Sequence, residues 1–314
     1  MILLLGGTGY IGTAFAQELA TRKVEHRIVS RRNVEYTRFS VFLKTLRSLK
    51  PVLVINCAGF VGRPNVDECE RRQAETLLGN AILPELLQNA CETVDVPFAH
   101  LSSGCIFSGA KVETVSGREV VRDLSAPAFR TQVESARETI YGFAETDEPN
   151  FSFRRPPCSF YSGSKALGEE VLRDGAQTYI WRMRIPFDEV DNPRNYLTKI
   201  QTYSKVYDNY NSITHRRDFA RACLDLWDRR AAFGIYNVVN PGFVSTREIV
   251  SMIRSVLRTG KEFEFWPNDE EFYKVAKAPR SNCILDTSKL LAAGVYLRPV
   301  REAVQQSLEN WKTA

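Results

Sequence analysis

Apolar residues in this chain come in short continuous runs, and amphipathic stretches separate them. Residues 2–5 form an uninterrupted apolar run, as expected of a strand buried on both faces. A glycine-rich turn occupies 6–12, and a helix with apolar residues at helical spacing is expected over 10–20. The same reading predicts strands at 26–30, 52–56 and 98–102. Helices at 39–49 and 70–91 lie between them, the second interrupted by Pro84. Further helices are expected at 161–172, 218–229, 246–257 and 300–311, and strands at 180–185 and 235–239. Strands alternating with helices predict an α/β protein with a doubly wound parallel sheet. Such sheets bind ligands at the carboxyl ends of their strands.

Residues 108–157 break this rhythm. They are polar, contain Gly109, Gly117 and several prolines, and hold an amphipathic helix whose Phe129, Val133, Ala136 and Ile140 would share one face. A structureless stretch of this length is uncommon inside a domain, so an ordered flap or insertion is expected. Because it leaves the sheet just after the strand at 98–102, it is expected to cover a site there or to extend an oligomer interface. No internal repeat is present.

Composition narrows the function classes. The chain has 314 residues, 44% hydrophobic and 25% charged, enough for a large core. Its seven cysteines are scattered and unpaired in spacing, which points to reduced thiols in the cytoplasm and away from a disulfide framework or zinc site. His26, His100 and His215 are not at ligand spacing, so no metal is expected. The apolar start is too short for a signal peptide and lacks a basic flank. No apolar run approaches the roughly 20 residues of a membrane span. A net charge of +5, with the basic pairs dispersed, argues against nucleic acid as a partner.

Gly6, Thr8, Gly9, Tyr10, Ile11 and Gly12 lie in a GxxGxxG turn between a strand and a helix. Glycines there let backbone and helix N-terminus approach a pyrophosphate. This is the dinucleotide signature of a Rossmann sheet. An acidic residue after the second strand would select NAD, but this chain has Ser30-Arg31-Arg32. Guanidinium groups suit a 2′-phosphate, so NADPH is favoured over NADH. The turn Cys57-Ala58-Gly59 closes the third strand on the same side. Residues 1–185, insertion included, form the expected NADP(H)-binding portion. Residues 186–314 form a smaller, interleaved substrate lobe, some of whose segments return to the sheet.

Tyr161 and Lys165 are four residues apart on one helical face. In a reductase a tyrosine donates a proton to a carbonyl oxygen, and a nearby ammonium stabilises the resulting phenolate. Ser103, at the end of the 98–102 strand, is placed to hydrogen-bond the same oxygen. Glycine turn, strand-end serine and YxxxK helix occur in the order this chemistry needs.

At this point the chain resembles the extended short-chain dehydrogenase/reductases. It is similar to dTDP-4-dehydrorhamnose reductase, and more so to the nucleotide-4-keto-6-deoxyglucose 3,5-epimerase/4-reductases of plant rhamnose synthases. The matching segments are 56–67 (NCAGFVGRPNVD), 104–107 (GCIF), 159–165 (SFYSGSK), 182–186 (RMRIP), 192–199 (NPRNYLTK), 236–242 (YNVVNPG) and 278–282 (APRSN). The resemblance implies that Ser103, Tyr161 and Lys165 perform reduction, and that Cys105 and Lys199 take part in epimerisation. It places Arg63, Arg184, Asn192, Arg194, Asn195, Lys199, Arg280 and Asn282 on the nucleotide-sugar substrate. A homodimer is the usual arrangement in relatives. Two departures stand out: relatives cross from GCIF to the YxxxK helix by a shorter loop, and Gly163 stands where they often have lysine.

A C4 ketone acidifies the hydrogens on C3 and C5, so a base and an acid on opposite faces could invert either centre through an enolate. Ser103 and Tyr161 would stabilise its oxygen. Cys105, its pKa lowered by cations, is the expected base, and Lys199 supplies the opposing proton, with His215 a weaker candidate. The expected function is therefore NADPH-dependent reduction of a UDP- or dTDP-4-keto-6-deoxyhexose to a rhamnose-type sugar, preceded by 3,5-epimerisation. Two other readings stand beside it: a 4-ketoreductase without epimerase activity on another nucleotide sugar, and a non-catalytic NADP(H)-binding regulator or scaffold.

If Arg31 and Arg32 bind a 2′-phosphate, NADPH should bind more tightly than NADH. Replacing both arginines with alanine should remove most of that preference. Equal affinities of the unmodified protein, measured by calorimetric titration, would refute the assignment.

Overall fold

The computed structural model describes residues 1–313. Six parallel strands form the central sheet: β1 (Ile2–Leu5), β2 (His26–Val29), β3 (Leu53–Asn56), β4 (Phe98–Ser103), β8 (Thr178–Met183) and β13 (Gly234–Asn237). Their order across the sheet is β13-β8-β4-β3-β1-β2. The chain moves outward from β1 in one direction to β2 and in the other through β3 to β13. The reversal at β1 and β3 opens a crevice at their carboxyl ends.

Alternation along each strand feeds two cores. Ile2, Leu4, Leu53, Ile55, Tyr179 and Trp181 face one side, where Phe15 of α1 (Gly12–Thr21) and Phe219 of α9 (Arg216–Asp228) cover them. Leu3, Leu5, Val54 and Ile180 face the other, under α2 (Phe39–Leu49), α5 (Leu83–Glu92) and α7 (Phe160–Leu172). Burial on both faces explains why these strands read as continuous apolar runs.

The expected helix over 70–91 is broken. It comprises α3 (Asp67–Arg71), α4 (Gln73–Leu77), a π-helical turn (Leu78–Ile82) and α5. Arg72 leaves helical geometry at φ −112°, ψ 58°. Pro84 has no N–H for the Asn80 carbonyl four residues back, yet the chain runs on through the π turn without a stop. That carbonyl points at α7. A Cβ on Gly168 would lie 2.1 Å from it.

The insertion is ordered. Strands β5 (Ala110–Thr114), β6 (Gly117–Val121) and β7 (Ile140–Tyr141) form an antiparallel sheet, with α6 (Pro127–Ser135) between β6 and β7. Phe129 and Val133 are buried on α6 as expected, but the helix stops at Ser135 and Ile140 belongs to β7. The Thr139 hydroxyl donates to the Ala136 carbonyl at 2.7 Å and accepts from the Gln132 amide at 2.9 Å, closing the helix end.

The smaller lobe carries β9 (Pro186–Phe187), α8 (Tyr196–Thr202), β10 (Lys205–Val206), β11 (Tyr210–Asn211), β12 (Thr214–His215), β14 (Val244–Ser245), α10 (Thr246–Leu257) and a last helix, Val300–Glu309. Phe187, Leu197, Ile249, Ile253 and Val304 build its core. Between these segments α9 and β13 return to the sheet. No helix among the described residues is long and apolar enough to cross a membrane.

Gly168→Ala forces a methyl into the Asn80 carbonyl and should lower stability by about 1–3 kcal/mol. Gly260→Ala, with nothing within 4 Å of its added methyl, should stay within about 0.5 kcal/mol. Equal urea midpoints for the two variants would show that helix α7 does not need this close approach.

Candidate active site

A cavity of about 1030 Å³ lies between the sheet and the smaller lobe, roomy enough for a dinucleotide-sized group and a second ligand. The glycine turn forms one wall. A Cβ on Gly12 would lie 2.2 Å from the Gly6 carbonyl, and one on Gly6 would lie 2.7 Å from the Ala58 nitrogen. Only glycine permits this packing of the β1 and β3 turns. Helix α1 begins at Gly12 with no side-chain cap, and Thr8, Gly9, Tyr10, Ile11 and Gly12 at its start line the cavity. Opposite them are Cys57, Ala58 and Gly59. A glycine-rich helix start without a side-chain cap, lining a cavity of this size, fits the pyrophosphate of a dinucleotide.

Arg31 and Arg32 lie in the exposed turn after β2, outside the cavity wall. Among the described residues neither pairs with a carboxylate. Both remain available to an anion.

Helix α7 delivers the tyrosine and lysine. Ser159 caps it, accepting from Ser162 N at 3.1 Å, and Glu70 of α3 accepts from Phe160 N at 2.8 Å. Tyr161 and Lys165 then face the end of β4, where Ser103 and Cys105 sit. The Ser103 hydroxyl accepts from Cys105 N at 3.3 Å. Burial drives the Tyr161 phenol far above its ordinary value, and Cys105 adds to this, while Ser103 and Arg184 oppose it. The phenol is therefore a protonated donor at neutral pH. Lys165 donates to the Leu101 carbonyl at 2.8 Å and has no carboxylate in contact among the described residues. Burial lowers its pKa to about 8.

The expected electrostatics of Cys105 are overturned. Ser103, Ser162, Arg184 and Lys165 do favour the thiolate, but burial outweighs them and the thiol pKa is raised. Lys199 moves the other way. Burial first and Arg194 second lower its pKa.

The smaller lobe supplies Asn192, Arg194, Lys199, Arg280 and Asn282 to the cavity, while Arg184 reaches it from the end of β8 and Arg63 from the loop after β3. Just after β8, Ile185 adopts φ 39°, an unfavourable backbone for a β-branched residue. Arg184 beside it donates to Asn211 Oδ1 at 2.5 Å and to the Ser281 carbonyl. Arg280 pairs with Asp67 at 2.6 Å, so part of its fork is already engaged. Arg194 donates to the Gly62 carbonyl at 3.3 Å.

Two expected residues lie elsewhere. Asn195 is fully buried outside the cavity wall. Its Oδ1 caps α8 through Leu197 N at 3.0 Å, and its Nδ2 serves Asp188 and the Val190 carbonyl. His215 lies at the start of α9 and contacts Glu189 at 3.4 Å and Asp218 at 3.5 Å, away from the cavity. The insertion contributes nothing to the wall either, so it does not cover the pocket. Sequence reasoning missed Asn80, whose Nδ2 donates to Ser164 Oγ at 3.0 Å, along with Tyr196, Tyr203, Tyr207 and Trp266 on the outer wall. Their only signal was scattered aromatic residues.

Residues 1–313 match the family described as the RmlD substrate binding domain. The chain belongs to this family. It is 33% identical over 306 residues to the bifunctional dTDP-4-dehydrorhamnose 3,5-epimerase/dTDP-4-dehydrorhamnose reductase of Arabidopsis thaliana, covering 96% of this chain and 90% of that protein. A trifunctional UDP-glucose 4,6-dehydratase/UDP-4-keto-6-deoxy-D-glucose 3,5-epimerase/UDP-4-keto-L-rhamnose-reductase from the same plant is 33% identical over 289 residues. This RmlD-family chain spans 39% of its length. Among solved structures, the L780 UDP-rhamnose synthase of Acanthamoeba polyphaga mimivirus superposes with TM-score 0.83 at 24% identity, over 98% of both chains. The dTDP-4-dehydrorhamnose reductase of Bacillus anthracis, in complex with NADP, gives TM-score 0.75 at 18% identity over 99% and 97% of the two chains. At these identities the structures show a shared fold.

Burial disfavours charge on His215, but Asp218 and Glu189 together hold its pKa above the ordinary 6.5. The folded state therefore binds this proton more tightly than the unfolded one. The stabilisation is complete below pH 6.5 and is lost as pH rises through the folded value. Across that window the unmodified protein should lose stability with rising pH more steeply than His215→Gln, measured by urea midpoints. Parallel pH dependences would refute the assignment.

Proposed function

We propose that this chain reduces the 4-keto group of a UDP- or dTDP-linked 6-deoxyhexose with NADPH, giving a rhamnose-type sugar nucleotide, and that it also epimerises C3 and C5. The observation that carries the reading is the convergence of Ser103, Tyr161 and Lys165 with Cys105 and Lys199 on one cavity bordered by an uncapped helix N-terminus. The 33% identity to a bifunctional epimerase/reductase across nine-tenths of its length supports it. NADPH, when bound, supplies hydride to the carbonyl carbon. The protein's part is the proton and the charge. Tyr161 donates its proton to the carbonyl oxygen, Ser103 holds that oxygen, and Lys165 stabilises the phenolate left behind.

The pKa directions favour epimerisation roles in the reverse of the order expected from sequence. Lys199, with its lowered pKa, is the better base for removing a proton from C3 or C5. Cys105, held as a thiol, is the better acid for returning one. Arg63, Arg194 and Arg280 suit the diphosphate, since their guanidinium groups line the cavity. A homodimer remains the arrangement proposed for the assembly, on the strength of the resemblance. A scaffold without catalysis has no use for a buried tyrosine and lysine at a strand end, which disfavours that reading.

Purified protein incubated with NADPH and a panel of nucleotide-4-keto sugars, followed by proton NMR, identifies substrate and product configuration. Tyr161→Phe should reduce NADPH oxidation by about 100-fold or more while leaving cofactor binding intact. In deuterium oxide without NADPH, the unmodified protein should introduce deuterium at C3 and C5. Lys199→Ala should stop that entry. Cys105→Ala should still admit deuterium but with configuration retained, and should still reduce a substrate already carrying the final configuration. Reduction with no deuterium entering C3 or C5 of the unmodified protein's true substrate would leave a simple 4-ketoreductase.

A further inference from the structure

His100 lies buried on β4, behind the cavity wall. Its neighbours form a chain of hydrogen bonds whose direction can be worked out. The Ala58 backbone N–H, in the turn after β3, donates to Asn56 Oδ1 at 3.0 Å. A backbone N–H can only donate, so this contact fixes which end of the Asn56 amide is oxygen. Asn56 Nδ2 therefore points at His100 Nδ1, 3.1 Å away. The amide nitrogen donates and Nδ1 accepts. A neutral imidazole then carries its proton on Nε2, and Nε2 faces Lys165 Nζ at 3.3 Å.

An ammonium has three N–H groups and no lone pair. Facing an Nε2–H, it would set donor against donor. An uncharged amine instead accepts from Nε2–H and still donates to the Leu101 carbonyl at 2.8 Å. We propose that His100, oriented by Asn56, is a positioning residue whose Nε2–H disfavours the ammonium form of Lys165, so that the lysine gives up its proton more readily than a free one while still carrying it when the phenolate forms.

The surroundings agree. From β4 and the turn after it, His100, the Leu101 carbonyl and Cys105 face Lys165. From α7 itself Glu169 is the nearest carboxylate, and its charge is committed to Arg182 of β8 at 2.7 Å. Burial, then Lys165, drives the His100 pKa well below its ordinary value, so the ring stays neutral. Burial also lowers Lys165, while Cys105 and Glu169 partly oppose it. Asn56 and His100 pair in register on adjacent strands, so the sheet itself sets the spacing. Through Ala58 the chain starts at the cofactor turn, linking its backbone to the protonation of the lysine.

The proposal rests on Lys165 belonging to the reducing site, and its first two readouts need neither substrate nor cofactor. The chain has only three histidines, so long-range nitrogen–proton correlation on the apo protein resolves the His100 tautomer. The expected form has the proton on Nε2, with no titration across neutral pH. A proton on Nδ1 would overturn the proposal. The second readout is carbamylation of Lys165 by cyanate, which reacts with the uncharged amine, followed by peptide mass spectrometry against pH. The unmodified protein should show a midpoint near 8. Asn56→Asp accepts from Nδ1–H and turns the Nε2 lone pair toward Lys165, so its midpoint should rise by about one pH unit. His100→Gln can offer an oxygen and should shift it in the same direction. Midpoints unchanged in both variants, with the variants folded by circular dichroism, would also overturn it. A merely structural role would lower kcat at every pH, whereas this one moves the basic limb of the reduction profile together with the carbamylation midpoint.

Discussion

Glu169 and Arg182 form a buried, two-pronged ion pair, with Arg182 Nε 3.0 Å from both carboxylate oxygens and Nη2 2.7 Å from one. Ser102 adds a hydrogen bond to the same carboxylate at 2.5 Å. The pair thus ties α7 to β8 and β4 at once. Lys165 lies one turn before Glu169 on the helix, and Ser103 is next to Ser102 on the strand. The relation between phenol, lysine and serine is therefore fixed by a contact just behind them. Removing one partner of such a pair costs about 3–5 kcal/mol, because it leaves the other charge buried alone. Arg182 also has one buried nitrogen without a partner and lies over the Phe107 ring at 5.1 Å. Its placement is constrained from every side, as a site held to fractions of an ångström requires.

What could be read from the sequence follows from which constraints are local. The first strand, the glycine turn and the YxxxK helix each depend on neighbouring residues only, and they fall where periodicity and glycine spacing put them. The family resemblance added the wall residues Arg184, Arg194, Lys199 and Arg280, whose approach to one cavity depends on distant packing. The break at Arg72 and the π turn before Pro84 were not legible, because both accommodate α7 rather than local preference. Asn80 illustrates this: its side chain bonds Phe60 N at 2.8 Å and Ser164 Oγ at 3.0 Å, contacts 20 and 84 residues away. The direction of the Cys105 pKa was misread for a related reason. Neighbouring cations can be listed from sequence, but the depth of burial that outweighs them cannot.

The insertion shows the same difference between order and placement. Its polarity suggested a flap over the pocket, yet Val112, Leu124, Phe129 and Val133 pack on Tyr210, Phe243 and Ile284 of the smaller lobe. Gly109 bridges Cys283, and Phe143 bridges Leu285. Gly142 has no room for a side chain there, since a Cβ would lie 2.2 Å from the Asp286 nitrogen. These contacts hold the segment that follows Arg280 and Asn282. The insertion therefore acts on the site from behind, by supporting the strand-like run that ends in two wall residues.

Asn195 extends that logic to the cofactor side. Its amide holds Asp188, whose Oδ1 accepts from the Tyr10 hydroxyl at 3.0 Å and whose Oδ2 pairs with Arg216 at 2.5 Å. Arg216 in turn donates to the Tyr10 carbonyl at 2.8 Å and lies over the Tyr10 ring at 4.5 Å. Tyr10 is part of the glycine turn, and Asn195 is part of the 192–199 segment that carries Arg194 and Lys199. A residue expected to touch substrate is instead the link that joins the two walls of the cavity. Because every member of this network is buried or half-buried, a shift of the 192–199 segment on binding substrate must either carry Tyr10 with it or break a charged contact. The glycine turn and the substrate segment therefore behave as one unit, so the two ligands of the cavity are positioned against each other by the protein rather than each by its own lobe.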